Sequence, residues 1–168
     1  TGKTLTPAAA ITDGNGGLNY TVTLVNNTTG VINAAALTVT ATGVNRVYDG
    51  TATATVTLAD NRVAGDVLTL TNTAALFLDK NVGTAKPVSV TGIAVSGTDA
   101  ANYTLSNATA STAANITARP ITVTAATNTK TYDGNATALA LPTITSGALA
   151  GGDTAVLAET YADKNFGT

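Results

Sequence analysis

The chain has 168 residues, a formal charge of −2, a sequence pI near 4.7 and only 11% charged residues. Its eight lysines and arginines are set singly, so they cannot form the basic stripe a nucleic-acid backbone demands, and no nucleic-acid partner is expected. Cys, His, Met and Trp are all absent, which removes disulfides, Ser/His and Cys/His nucleophile pairs and the ligands transition metals prefer; neither an enzyme nor a cofactor is expected.

Residues 5–10 are mildly apolar and lead into Asp13, Gly14, Asn15, Gly16 and Gly17, a loop by composition. Alternation from Tyr20 predicts a strand over 20–25, a turn over 26–30 and a new strand from 31. The long middle stretch predicts strands at 37–41, 45–48, 54–58, 67–71, 74–78, 86–92, 103–106 and 113–117. Turn residues separate them, and a single helical turn is expected over 99–102. Further strands are predicted at 121–125, 130–132, 136–141 and 155–161. Thr makes up about a fifth of the chain and alternates with Val, Leu, Ala and Ile, as half-buried strands require. The longest apolar runs, 74–78 and 138–141, are too short to span a bilayer, so this stretch holds no membrane span.

The chain repeats itself. Tyr48, Asp49, Gly50 returns 84 positions later as Tyr132, Asp133, Gly134, and Asp79, Lys80, Asn81 returns as Asp163, Lys164, Asn165. The run Leu37, Thr38, Val39, Thr40, Ala41 returns as Ile121, Thr122, Val123, Thr124, Ala125, and Asn19, Tyr20, Thr21 returns 83 positions on as Asn102, Tyr103, Thr104. A fixed period of this size signals an array of similar units. Thr1, Gly2, Lys3 align with Thr84, Ala85, Lys86, and Thr168 is the next Thr in the series. The expected organisation is therefore the C-terminal half of one unit at 1–35, a complete unit at 36–118 and the N-terminal half of the next at 119–168. Pro120, at the second join, suits a stiff junction.

The recurring motifs read as architecture. Asp followed by Gly closes a tight turn, because Asp bonds its own backbone two residues on and Gly accepts a positive φ. Tyr48 and Tyr132, just before it, are expected to anchor their cores; the alternative is an exposed ring stacking on surface glycans. Asp99 and Tyr103 have the spacing of a tyrosine corner, in which a Tyr at a strand start bonds back to the chain a few residues upstream, and Tyr20 occupies the matching place. Asp79, Lys80 and Asn81 suggest a connecting turn with a local charge pair. A Lys-to-Asn crosslink would need a buried acid beside it, and Glu159 has only Ala75 as its counterpart. Asp13, Asn15 and Gly17 imitate the first half of a calcium loop without the closing bidentate acid; calcium shared with Asp60 or Asp66 is the alternative to a plain hairpin.

Taken together, Val47 to Thr51, Asp79 to Thr84, Gly97 to Tyr103 and Asn115, Ile116, Thr117 before Arg119 and Pro120 resemble the YDG repeat of bacterial surface proteins. That repeat, with the related MBG repeat, is similar to modules of large filamentous-haemagglutinin-type adhesins. The resemblance implies an all-β fold of tandem small β-sandwich modules, Ig-like or β-grasp-like, of about 84 residues each. It implies an extracellular stalk or fibre at a bacterial surface that gives reach and stiffness, with neighbouring repeats as partners. It implies no catalytic, metal or cofactor residue. The alternative is an adhesive module that recognises glycans or a partner chain, including identical chains in a filament or bundle.

Overall fold

The computed structural model describes residues 2–167; the alignment of Thr1 and Thr168 in the repeat falls outside the described residues. The Thr-rich alternating segments form strands throughout: β1 (Lys3–Leu5), β2 (Asn27–Gly30), β3 (Ala35–Leu37), β4 (Val39–Gly43), β5 (Arg46–Val47), β6 (Val56–Asp60) and β7 (Thr69–Thr71). Then follow β8 (Ala74–Phe77), β9 (Gly83–Thr91), β10 (Ala94–Ser96), β11 (Tyr103–Leu105), β12 (Thr109–Thr117), β13 (Thr122–Thr124) and β14 (Thr143–Ser146). One 3₁₀ turn, Ala100–Asn102, interrupts them, and the fold is all-β.

The widest sheet runs β5-β12-β9-β8, with β5 parallel to β12 and the other two pairs antiparallel. Around it lie the antiparallel pairs β4–β6 and β10–β7 and the parallel pair β3–β11. The parallel pairs join residues about 70 positions apart, so early and late parts of the 36–118 segment are cross-paired rather than stacked as hairpins. The strands alternate a buried and an exposed face, and the inward positions form one core of Leu37, Val39, Leu68, Phe77, Val88, Val90, Ile93 and Ile116 with buried Ala54, Ala75 and Ala114. Gly43 ends β4 where the chain crosses β12; a Cβ there would stand 2.6 Å from the Ala113 carbonyl oxygen.

Asparagine amides complete the ladders where strands break. Between β3 and β4, Thr38 N–H donates to Asn61 Oδ1 at 2.7 Å and Val39 N–H to Asn107 Oδ1 at 2.9 Å, while Asn107 Nδ2 returns a bond to the Val39 carbonyl. At the register shift between Ala114 and Ile116, Asn115 N–H donates to Asn45 Oδ1 and Asn115 Oδ1 accepts from Ala85 N–H, each at 2.7 Å. Backbone donors that lose a ladder partner take these side-chain acceptors instead, so the asparagines carry the fold across its irregular points.

The flanking segments depart from expectation. Residues 20–25 form no strand, and β2 occupies the stretch expected to turn. No strand forms at 130–132, 136–141 or 155–161, apart from one bridge between Thr137 and Thr160. β10 and β14 appear where no strand was expected. A strand exists by pairing, and these flanks carry only the two-stranded pairs β1–β2 and β13–β14. Among the described residues only Pro142 and Ala150 are buried outside 37–116.

Candidate functional site

The recurring Tyr-Asp-Gly turn is built the same way twice. Thr51 N–H donates to Asp49 Oδ1 at 2.9 Å, and Asn135 N–H to Asp133 Oδ1 at 3.1 Å. Gly50 and Gly134 sit at φ of 85° and 83°, where a side chain is strained. A cation two residues before each Tyr staples the loop shut. Arg46 bonds Asp49, the Thr51 hydroxyl and the Thr51 carbonyl, with its guanidinium 5.2 Å over the Phe77 ring. Lys130 Nζ donates to Asp133, Asn135 and the Thr137 carbonyl and lies 5.7 Å over Tyr161, the counterpart of Phe77. Bonds from Thr51 and then Arg46 hold the Asp49 carboxyl below its ordinary range; at Asp133 the Lys130 ammonium is the largest cause. This cation was the signal to look for: a basic residue at the same place before both copies.

Tyr48 packs against the core, but Tyr132 is 65% exposed, so only the first of the two anchors one. The Asp79 turn also recurs: Asn81 N–H donates to Asp79 and Asn165 N–H to Asp163, both at 2.7 Å. Its charge pair is not the adjacent one. Asp79 takes Lys86 at 2.6 Å, which lowers its pKa, while Lys80 reaches away. Lys164, like Lys80, forms no ion pair within its own turn among the described residues.

Lys80 leads to the junction. Its Nζ lies 3.4 Å from Asp153 and 5.8 Å over the Tyr48 ring, and Tyr48 and Asp153 together hold it above the usual ammonium pKa. A Cβ on Gly50 would stand 3.2 Å from the buried Ala150 and 3.3 Å from the Gly151 carbonyl oxygen. Arg119 Nε donates to the Ala148 carbonyl at 2.6 Å. The Tyr-Asp-Gly turn at 48–50 thus seats the 148–153 turn.

The corresponding turn of the central segment, 63–66, is clamped by side chains from near β11. Tyr103 Oη donates to Asp66 at 2.5 Å and accepts from Val63 N–H at 2.8 Å, and Asp99 accepts from Val67 N–H at 2.8 Å. This is not a tyrosine corner: the hydroxyl reaches 40 positions upstream to a different loop. Asp66 raises the Tyr103 pKa above that of a free phenol. Arg62 braces the same loop through Asp60, which it holds below the usual carboxylate range, and the Leu68 carbonyl. Tyr20, the counterpart of Tyr103, is 63% exposed.

The Asp13 loop is closed by its own backbone. Asp13 accepts from the N–H groups of Gly17 at 2.7 Å, Asn15 at 2.9 Å and Asn19 at 3.2 Å, with Gly17 the largest cause of its lowered pKa. Both carboxylate oxygens are engaged in the hairpin. Among the described residues no cluster of three or more acids is placed to hold a metal ion, and no helix is long and apolar enough to cross a membrane.

The family model described as the YDG domain matches residues 33–112, so the chain contains a YDG-type domain. The match runs from just before β3 into β12. No curated protein and no solved structure matches the chain.

Proposed function

We propose that the chain is stalk or fibre material of a bacterial extracellular surface protein: tandem β-sandwich modules whose work is reach and stiffness, with no catalytic role. The observation that carries this reading is the junction. Gly50 against Ala150, Lys80 against Asp153 and Arg119 against the Ala148 carbonyl hold one repeat on the next through residues that sit in or beside the recurring turns. Repeats joined so closely have little freedom to swing, and stability in such arrays is shared between units and their interfaces.

The nine-residue strands β9 and β12 run about 30 Å at 3.3 Å per residue. Small-angle scattering from a chain of four periods is expected to give a rod that lengthens by about that much for each period added. A compact particle would overturn the reading. The adhesive alternative rests on the exposed rings of Tyr20 and Tyr132. It gains if changing those rings abolishes glycan binding while the melting temperature stays fixed.

A further inference from the structure

We infer that residues 35–48 and 103–117 form a shear clamp, which makes the central segment a load-bearing element under tension along the chain. That tension is its working condition rests on the stalk reading; the clamp itself rests on strand direction and register. β3 runs parallel to β11, with Tyr103 beside Ala35 and Leu105 beside Leu37. β5 runs parallel to β12, with Ile116 beside Arg46 and Thr117 beside Val47. The two stretches therefore lie side by side and point the same way, from the entry of the central segment to its exit.

Backbone bonds close this seam at both ends: Ser106 N–H donates to the Leu37 carbonyl at 2.8 Å, and Tyr48 N–H to the Thr117 carbonyl at 2.9 Å. Between them, where β4 makes no ladder with β12, side chains carry it on. Asn107 Oδ1 accepts from Val39 N–H and its Nδ2 donates to the Val39 carbonyl, both at 2.9 Å. Thr112 Oγ1 accepts from Gly43 N–H at 3.2 Å, and Asn45 Oδ1 from Asn115 N–H at 2.7 Å. Leu37, Val39 and Ile116, all buried, back the seam from the core. Parallel strands need a long crossover between them, and here β6 to β10 supply it.

Direction decides what a pull does. The chain enters the segment at the start of β3 and leaves it at the end of β12, at opposite ends of the seam. Drawing Ala34 and Ala118 apart slides the two stretches against each other, so their bonds share the load and give way together. The β9–β12 ladder behaves differently. It is antiparallel with Gly83 beside Ile116, so drawing that end apart opens its bonds one after another. Forced unfolding is governed by the unfolding barrier, and a barrier that needs several bonds broken at once is the higher one.

The test is single-molecule force spectroscopy on the 168-residue chain, held between two introduced cysteines, which are unique because the natural chain has none. Ala34→Cys with Ala118→Cys pulls along the seam, and Thr84→Cys with Ala118→Cys opens the β9–β12 ladder from one end; all three positions are exposed. At one loading rate the first pair is expected to need roughly twofold more force than the second, or greater. Asn45→Ala and Asn107→Ala are expected to lower the first force and leave the second unchanged. Leu68→Ala, at a buried site outside the seam, is expected to lower the melting temperature and leave the first force near its natural value. Equal forces in the two directions overturn the inference, as does a Leu68→Ala chain weakened along the seam as much as Asn107→Ala. The comparison of directions keeps the natural seam, so it decides the matter even where an Asn variant fails to fold. A four-period rod whose units give way easily in both directions would sink the clamp and leave the stalk; a compact four-period particle with a resistant unit would do the reverse.

Discussion

The central segment and its flanks carry the same sequence pattern and reach different ends. Leu37, Val39, Thr40 and Ala41 build β3, β4 and the edge of the core; in the matching run from Ile121 to Ala125 only Thr122–Thr124 form a strand, and both large side chains, Ile121 and Val123, are nearly half exposed. Nothing in the local alternation separates the two. What separates them is the cross-pairing of early and late strands, which the central segment completes within 84 residues and each flank lacks. Strand propensity behaves here as fitness for a pleated, half-buried surface rather than as a backbone preference.

The sharpest way to test that contrast is to make one change at both ends of the repeat. Ile116→Ala empties a fully buried site and is expected to cost about 2–5 kcal/mol of unfolding free energy. Ile32→Ala, at the equivalent but exposed position, is expected to change it by less than about 0.5 kcal/mol. Urea unfolding of the two variants reads both. Equal costs would mean the flank is folded into the core after all.

Asp60 comes next in size. Its side chain is 1% exposed and braces the 63–66 turn through Arg62, so Asp60→Asn is expected to cost on the order of 2 kcal/mol. Its pKa is lowered in the fold, so its ionised form favours the folded state. That contribution is whole above the unfolded value of about 3.9 and fades as the pH falls through the lower folded one. Asp49 and Asp79 act in the same direction. An acid titration of the melting temperature should fall steeply below about pH 4, and Asp60→Asn should flatten that limb. Tyr103 acts with the opposite sign. Its raised pKa favours the neutral phenol, so its share is whole below about pH 10 and is lost above it.

Much of the central segment was legible in the sequence. Its strand periods, the 3₁₀ turn and the Asp-Gly and Asp-Lys-Asn turns all follow from local chemistry that the structure repeats at 49–51, 79–81, 133–135 and 163–165. The misses share a cause, because each needs a partner far away in sequence. Tyr103 has corner spacing but bonds a loop 40 positions upstream; Lys80 sits next to Asp79 yet pairs with Asp153. The Asn ladder caps are invisible because Asn is common throughout. The flanks' unformed strands were misread for the same reason, since alternation reports a face and not what covers it.

Ala85 gives the smallest and most local test. It is the only non-glycine residue with a positive φ among the described residues, at 48°, and its N–H is held by Asn115 where β12 shifts register against β9. The aligned position in the first flank is Gly2. A left-handed backbone costs a non-glycine residue about 1–2 kcal/mol, and glycine returns part of that gain as lost chain entropy. Ala85→Gly is therefore expected to stabilise the fold by about 0.5 kcal/mol, visible as a small rise in the urea midpoint with an unchanged slope. A loss of stability would show that the bulge tolerates φ at Ala85 without strain, and that the Asn115 bond, not the backbone angle, governs the join between the two halves of the central segment.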